Sequence, residues 1–304
     1  MLLILSAVIL SIVIFIIYKS LHPHAKPIEA KGKAILVTGA ASGIGKQICE
    51  DLLKAGCLVY AADRKLEPLT AAWATFDRNS MPHATSKLEL IEMDVTQEAE
   101  VAAVAKRVRE SGTGLFGVVN GAGIGQAPGY PIERIQGVVE LNVDQWIKPV
   151  IDVNLLGTMR VNNAFFPLLL ESKGCILNIA SIMGHMSPAG FGAYTISKKA
   201  IVGYSDTMRR ELAPYGIRVG CLAPGFIATP MVLPIFHPEA ILAARDYNHT
   251  SLHLGRGDEG QWPMIAGTYD QLPTPELVAE SVHWHLFHDP IPPHTFVDNT
   301  TTKL

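Results

Sequence analysis

Ser181, Tyr194 and Lys198 have the types and spacing of an acid–base site. Tyr194 and Lys198 are four apart, so a helix puts both on one face. A lysine ammonium beside a phenol favours the phenolate and lowers its pKa from about 10. A tyrosine in that setting can exchange a proton near neutral pH. A serine hydroxyl across from it can hold the reacting oxygen. The same spacing also occurs on ordinary amphipathic helices, so the surrounding elements decide between the two readings.

Cys175–Ala180 is short, apolar and rich in β-branched residues, and it reads as a buried strand ending at Ser181. A loop with Gly184, Pro188 and Gly190 follows. The helical pattern from about Phe191 to Ala213 then carries Tyr194 and Lys198. Far upstream, Ala34–Thr38 is a strand, Gly39-Ala-Ala-Ser-Gly43-Ile-Gly45 a turn, and the next stretch to about Leu53 a helix. Strand, glycine turn and helix form the context of a phosphate-binding loop. Its backbone can approach a pyrophosphate, and the helix start offers free N–H groups and a positive dipole end. Gly39, Ser42, Gly43, Ile44 and Gly45 are the candidate contacts. The spacing is Gly-xxx-Gly-x-Gly rather than Gly-x-Gly-xx-Gly.

A second strand, Leu58–Ala62, ends at Asp63. A carboxylate there suits the adenosine ribose hydroxyls and repels a 2′-phosphate. Ala40 and Ala41 add no basic group for such a phosphate, whereas Arg64 does. The balance favours NAD over NADP. Asp63 is also a candidate N-cap for a helix over Leu66–Phe76. After a surface loop, 77–87, Leu88–Met93 is the third strand, closed by Asp94 and Val95. Asp94 suits either the adenine or the cap of a helix over Gln97–Glu110. Leu115–Val119 is the fourth strand. Asn120, Ala122 and Gly123 follow it, where small residues let the backbone lie against a cofactor. Asp144–Leu170 reads as one long helix containing Asn154, with Pro149 and Pro167 near its ends. A buried amide there must find partners. Ile217–Leu222 is the sixth strand, followed by Pro224, Gly225, Ile227 and Thr229. Residues 231–272 lack periodicity and are partly apolar. They suit a lid over a hydrophobic substrate, or a loop touching a membrane. Pro275–Phe287 is a helix with Thr274 as N-cap, and His294–Asp298 an edge strand. Strands alternating with helices imply one α/β domain, a doubly wound parallel sheet of the Rossmann type, with its ligand at the C-terminal strand ends.

In order and spacing, these motifs resemble the short-chain dehydrogenase/reductase family over about residues 32–230. They are Thr38-Gly39-Ala-Ala-Ser-Gly43-Ile-Gly45, Asp63, Asp94-Val95, Asn120-Gly-Ala-Gly123, Asn154, Ser181, Tyr194-Thr-Ile-Ser-Lys198, and Pro224-Gly225 with Thr229. The texture is similar to membrane-anchored retinol and hydroxysteroid dehydrogenases. The resemblance implies a catalytic set of Asn154, Ser181, Tyr194 and Lys198. It implies that Asn154 sits at a helix kink and holds a water linking Lys198 to solvent. It also implies that Lys198 binds the nicotinamide ribose, Pro224 and Gly225 flank the nicotinamide, and Ile227 and Thr229 contact the carboxamide.

The chain has 304 residues and a net charge of −3, with no basic stripe, so no nucleic-acid partner is expected. Cys49, Cys57, Cys175 and Cys221 lie in apolar runs without a CxxC pair and read as buried, reduced thiols. His283, His285 and His288 lack a supporting carboxylate or cysteine, so no metal site is expected. Residues 1–18 are apolar apart from two serines and Tyr18 and read as a transmembrane anchor at the lower length limit. Residues 19–31, with Pro23 and Pro27, form a linker to a domain over 32–304. Lys19, Lys26, Lys31 and Lys33 all follow the run, which places that domain in the cytosol. In a eukaryote the membrane expected is the endoplasmic reticulum. On a cytosolic domain the glycosylation patterns at Asn248 and Asn299 stay unused. The expected reaction interconverts a hydrophobic alcohol (steroid, retinoid or lipid-like) and its carbonyl. An NADPH-dependent reductase of a 3-keto lipid and a cofactor-sensing membrane scaffold are the alternatives. A homo-oligomer remains open.

Overall fold

The computed structural model describes residues 26–76, 83–126, 137–188, 190–232, 274–289 and 294–297. The expected anchor, most of the expected lid and part of the 77–87 loop lie outside these residues. Among the described residues, no helix is long and apolar enough to cross a membrane.

Nine strands are described: β1 (Lys26–Pro27), β2 (Ala34–Thr38), β3 (Leu58–Asp63), β4 (Lys87–Glu92), β5 (Gly117–Asn120), β6 (Cys175–Ile179), β7 (Arg218–Pro224), β8 (His288–Asp289) and β9 (His294–Val297). Seven form one parallel sheet in the order β4-β3-β2-β5-β6-β7-β9. The order reverses between β2 and β5, so the crevice between their ends is the switch point where a doubly wound sheet takes its ligand. The central strands β2 and β6 are buried along their whole length because both sheet faces are covered.

The helices are α1 (Gly43–Lys54), α2 (Leu66–Trp73), α3 (Glu98–Glu110), α4 (Lys148–Ile151), α5 (Thr158–Ser172), α6 (Gly192–Leu212) and α7 (Pro275–Leu286). One core joins Ile35, Val37, Val119 and Leu177 to Ile48 and Leu52 of α1, Leu69 of α2 and Val282 of α7. The other joins Leu36, Val118 and Ile176 to Val101 of α3, Phe165 of α5 and Met208 of α6. Alternate residues of each strand serve opposite layers.

The expected single helix over Asp144–Leu170 is interrupted. π-helical turns occupy Val143–Ile147 and Asp152–Gly157, on either side of α4. Two contacts accompany the second turn. A Cβ on Gly157 would lie 2.6 Å from Val95 Cγ2, so the turn is pressed against that residue. Arg160 also grips the Asp152 carboxylate at 2.8 Å. A small antiparallel ribbon, β1 with β8, was not foreseen from sequence. Arg218 fastens it by donating to the carbonyls of His285 and Leu286 at the end of α7 and of His288 in β8.

Candidate active site

The C-terminal ends of β2, β5, β6 and β7 frame a cleft. It is lined by Gly39, Ser42, Gly43, Ile44, Gly45, Gly123, Ser181, Tyr194, Lys198, Pro224, Gly225, Ile227 and Thr229, all singled out in the sequence. Gly121, Ile179, Ala180, Pro230, Met231 and Val232 complete it. Gly121 falls within the Asn120–Gly123 motif, and Met231 and Val232 within the expected lid; Ile179, Ala180 and Pro230 were missed, though each lies within a few residues of one that was named.

Gly39 has φ +75°, and a Cβ there would sit 2.8 Å from the Gly121 carbonyl oxygen. The glycine turn and the loop after β5 therefore touch backbone to backbone. The Thr38 hydroxyl accepts from the Gly121 and Ala122 amides, each at 3.1 Å, and fixes that contact. Ser42 precedes α1 without using its side chain as a cap, and the first turn of α1 carries no acidic residue. Amides without a side-chain cap and a first helical turn without acidic residues together fit the phosphates of a dinucleotide.

Asp63 lies at the end of β3. One of its carboxylate oxygens accepts from Ala41 N at 3.0 Å and the other from Arg64 N at 2.8 Å. It thus buckles the glycine turn to β3 and does not cap α2, whose N-cap position is Lys65. Asp94 does not cap α3 either, since Gln97 holds that position. Its Oδ1 accepts from the Thr96 amide and hydroxyl and closes a local turn. Asp63, Asp94, Val95, Asn120, Ala122 and Asn154 all lie outside the cleft lining. Val95 is buried in the core.

Asn120 differs from expectation not in its backbone position beside the cleft loop but in its side chain. It is the last residue of β5 and not the first of the following loop. Strand alternation turns its side chain to the Val118 face, where Nδ2 donates to Asn162 and Asn178. That side chain is committed to the core and not to the cleft.

On α6, Ala193, Ser197, Lys198, Ile201, Ser205 and Met208 are buried at helical spacing, which fixes the rotation of the helix. Tyr194 and Lys198 then face the cleft together. The Ser181 hydroxyl donates to the Pro224 carbonyl at 3.5 Å and lines the cleft together with Tyr194. It also accepts from Met183 N at 3.2 Å. Lys198 Nζ donates to the Ile179 carbonyl at 2.8 Å and sits 5.5 Å from the centre of the Tyr194 ring. Asn154 lies in the second π-turn. Its Oδ1 accepts from Ile124 N, and its Nδ2 donates to the Ile124 carbonyl and to Ser197 Oγ. Ser197 in turn donates to the Tyr194 carbonyl. The amide clamps the loop after β5 to α6, with both its protons already donated. A proton relay through this side chain would have to break one of these bonds.

The expected lowering of the phenol pKa is reversed. Burial pushes Tyr194 up to about 12, and the neighbouring Ser181 hydroxyl only partly offsets this. Burial also pulls Lys198 down from 10.5 to about 8, with Cys221 opposing. A pKa lowered on folding means that the buried ammonium costs stability below about pH 8. The cost, about 3 kcal/mol, fades as pH rises towards 10.5. Lys198→Met gives up one hydrogen bond but removes this cost, a net gain of about 2 kcal/mol at pH 7, or about 4 °C in Tm. Thermal melts should show that gain shrinking towards pH 10 while turnover is lost at every pH. A Tm difference that ignored pH would contradict desolvation of the ammonium as its cause.

A second, smaller hollow adjoins the cleft and shares Tyr194 as a wall. Leu141, Trp146 and Phe191 line it, with Gly125, Gln126, Gly190, Gly192 and Ala193. Sequence reasoning missed it because it joins three separate segments. Among the described residues no cluster of metal-ligating side chains occurs. His285 and His288 use Nδ1 on the carbonyls of Ser281 and Trp284. The four cysteines are free and buried.

An α/β sheet with a glycine turn at its switch point and a Ser–Tyr–Lys cluster beside it defines a narrow class of protein. The sequence profile described as short chain dehydrogenase matches residues 33–240. The chain belongs to the short-chain dehydrogenase family. It is 36% identical to human retinol dehydrogenase 16 over 201 residues, 66% of this chain and 58% of that protein. It is 33% identical to mouse mitochondrial D-beta-hydroxybutyrate dehydrogenase over 219 residues, 70% of this chain and 59% of that protein. The chain thus spans less than two thirds of the length of either relative. Among solved structures, a short-chain type dehydrogenase/reductase from Mycobacterium ulcerans superposes with a TM-score of 0.68 at 24% identity, covering 88% of both chains. A short chain dehydrogenase from Burkholderia cenocepacia in complex with NADP superposes with a TM-score of 0.63 at 23% identity, covering 90% of this chain and 91% of that one. These two likenesses show the fold.

Proposed function

We propose that the protein is an oxidoreductase that interconverts a hydrophobic alcohol and its carbonyl with a nicotinamide dinucleotide. The observation that carries this reading is that Ser181, Tyr194 and Lys198 line one cleft, with Lys198 one helical turn from Tyr194 and its Nζ 5.5 Å from the centre of the phenol ring. A bound nicotinamide cofactor supplies the hydride acceptor. Ser181 holds the alcohol oxygen. Tyr194 takes its proton as general base. Lys198 places a positive charge beside the phenol ring and is within the cleft to bind the cofactor ribose. Asn154 holds the loop after β5 in place through Ile124. Because burial raises the Tyr194 pKa, oxidation is expected to accelerate with rising pH.

An apolar substrate is supported by the hollow on the far side of Tyr194, walled by Leu141, Trp146 and Phe191. Retinoids, steroids and acyl alcohols are the classes to test. Anchoring of the apolar residues 1–18 in a membrane, with the domain on the cytosolic side, belongs to the same reading. It is supported by the lysines that follow the run and by four free buried cysteines.

NAD is the preferred cofactor in this proposal, because the Asp63 carboxylate stands at the end of β3 beside the glycine turn. Asp63→Asn keeps an acceptor for Ala41 N and removes the charge. Relative use of NADP over NAD should rise about tenfold, corresponding to about 1.4 kcal/mol. Initial rates with both cofactors test this, and a parent protein that already prefers NADP tenfold would overturn the assignment. One observation favours an NADPH-dependent keto-lipid reductase instead: Arg64 is exposed next to Asp63.

A further inference from the structure

A buried polar network lies directly beneath the cleft. Asn120, Asn162, Asn178 and Ser205 are 3%, 2%, 0% and 2% exposed. They come from four different elements: β5, α5, β6 and α6. Asn120 and Asn178 are register partners on adjacent strands. Asn120 Nδ2 donates to Asn162 Oδ1 at 2.8 Å and to Asn178 Oδ1 at 2.9 Å. Asn162 Nδ2 reaches Asn178 Oδ1 at 3.5 Å. Asn178 Nδ2 donates to Ser205 Oγ at 2.9 Å, and Ser205 passes its own proton to the Ile201 carbonyl at 2.7 Å. Asn178 therefore touches all three other members.

Polar groups are costly in such a place. Asn120 Oδ1 has no hydrogen-bond partner and is buried, so the arrangement is not optimised for stability alone. Apolar residues of similar size would fill the same space.

Each member sits a short, fixed distance from a residue of the cleft. Asn120 directly precedes the loop that carries Gly121 and Gly123. Asn178 lies three residues before Ser181 on β6. Ser205 is seven residues, two helical turns, beyond Lys198 on α6. Asn162 is eight residues beyond Asn154, in the helix that continues from its π-turn. The apolar contacts around these elements are non-directional and leave small sliding motions open. Hydrogen bonds of fixed geometry do not.

We propose that Asn178 is a positioning residue: through Asn120, Asn162 and Ser205 it sets the height of β6 against α6, and so the alignment of Ser181 with Tyr194 and Lys198. The inference rests on the catalytic roles proposed above for those three residues. The start of the loop after β5 has a second tie, from the Gly121 and Ala122 amides to the Thr38 hydroxyl, whereas β6 and α6 meet directly through Asn178 and Ser205, so the network acts on the reacting groups more than on the cofactor cradle.

The test compares the parent protein with Asn178→Leu and the milder Ser205→Ala in alcohol oxidation, well below each protein's Tm. Dinucleotide affinity is measured separately by quenching of reduced-cofactor fluorescence. For Asn178→Leu, kcat should fall by about 100-fold, the cost of misplacing reacting groups by about 1 Å. For Ser205→Ala the loss should be about tenfold. Cofactor affinity should stay within about threefold in both, if only the reacting groups move. The rising limb of the kcat–pH profile should move to higher pH, because Ser181 would support the phenolate less well. Should Asn178→Leu not fold, Ser205→Ala decides on the same readouts. Variants with lower Tm but the parent's kcat and pH limb would reduce the network to a structural role and overturn the proposal. A parent that oxidises no alcohol would overturn the catalytic reading, and this inference with it.

Discussion

Tyr194→Phe is expected to lower alcohol oxidation by at least about 10³-fold, the range for removing a positioned general base. The change deletes one oxygen. The aromatic ring, its contact with Lys198 and the fold of α6 stay in place, because α6 is fixed by its buried face and not by the phenol. Reduced-cofactor binding should therefore remain within about threefold of the parent, since the phosphate cradle lies on α1 and the loop after β5. The stability effect has the opposite sign to the catalytic one. Burial disfavours the phenolate, so the phenol costs the folded state nothing below pH 10, and the penalty grows as pH rises from 10 to about 12. Tyr194→Phe should thus melt like the parent at pH 7 and better than it at pH 11. Substantial residual turnover at neutral pH would remove Tyr194 from the role of base.

The second large effect is expected at Gly45. A Cβ there would lie well inside van der Waals contact with the Gly39 carbonyl oxygen and 2.7 Å from its carbon. Gly39 in turn leans on Gly121 with nothing between them. Three backbone segments meet here without side chains, and neither Gly39 nor Gly121 can yield as a flexible side chain would. Gly45→Ala must push the start of α1 away from β2. A stability loss of about 1–3 kcal/mol follows from overpacking. Displacing the first-turn amides by about 1 Å should weaken dinucleotide binding by about 100-fold. A fluorescence titration measures this. Parent-like affinity in the folded variant would mean that the glycine turn is a structural bend and not a phosphate cradle.

The difference between these sites and Asn120 shows what the sequence made legible. Ser181, Tyr194 and Lys198 belong to consecutive elements, and their spacing constrains them with little help from the rest of the fold. The glycine turn reads from local order alone: strand, Gly39, Gly45, helix. Asn120 depended on where β5 ends. One residue of strand length decides whether the side chain follows the loop or the pleat, and here it follows the pleat to Asn178. The signal was present as the alternation Val118, Val119, Asn120, and Asn178 repeats it on the neighbouring strand in register.

The interrupted helix was less accessible. A π-turn shifts the pairing by one residue and leaves the three-to-four spacing of Ile147, Ile151 and Leu155 nearly unchanged. At Gly157 it lies against Val95, more than sixty residues earlier, a contact that no local pattern reports. The Tyr194 pKa was misjudged for a similar reason. Helix spacing placed the lysine near the phenol. Desolvation, which depends on the whole fold, outweighed that neighbour. The helix-cap alternatives at Asp63 and Asp94 fail because both carboxylates close backbone turns instead, a use that depends on loop geometry more than on residue type.

The central claim is hydride exchange between a hydrophobic alcohol and a nicotinamide dinucleotide in the cleft of Ser181, Tyr194 and Lys198. The most direct measurement uses retinoid, steroid and acyl alcohols carrying deuterium on the carbinol carbon, each incubated with the protein and NAD or NADP. Mass spectrometry of the recovered cofactor reads the transfer. The predicted result is singly deuterated reduced cofactor with at least one of these alcohols, more of it with NAD than with NADP, and none with Tyr194→Phe. Unlabelled cofactor throughout, from a folded protein that binds the dinucleotide, would contradict the account.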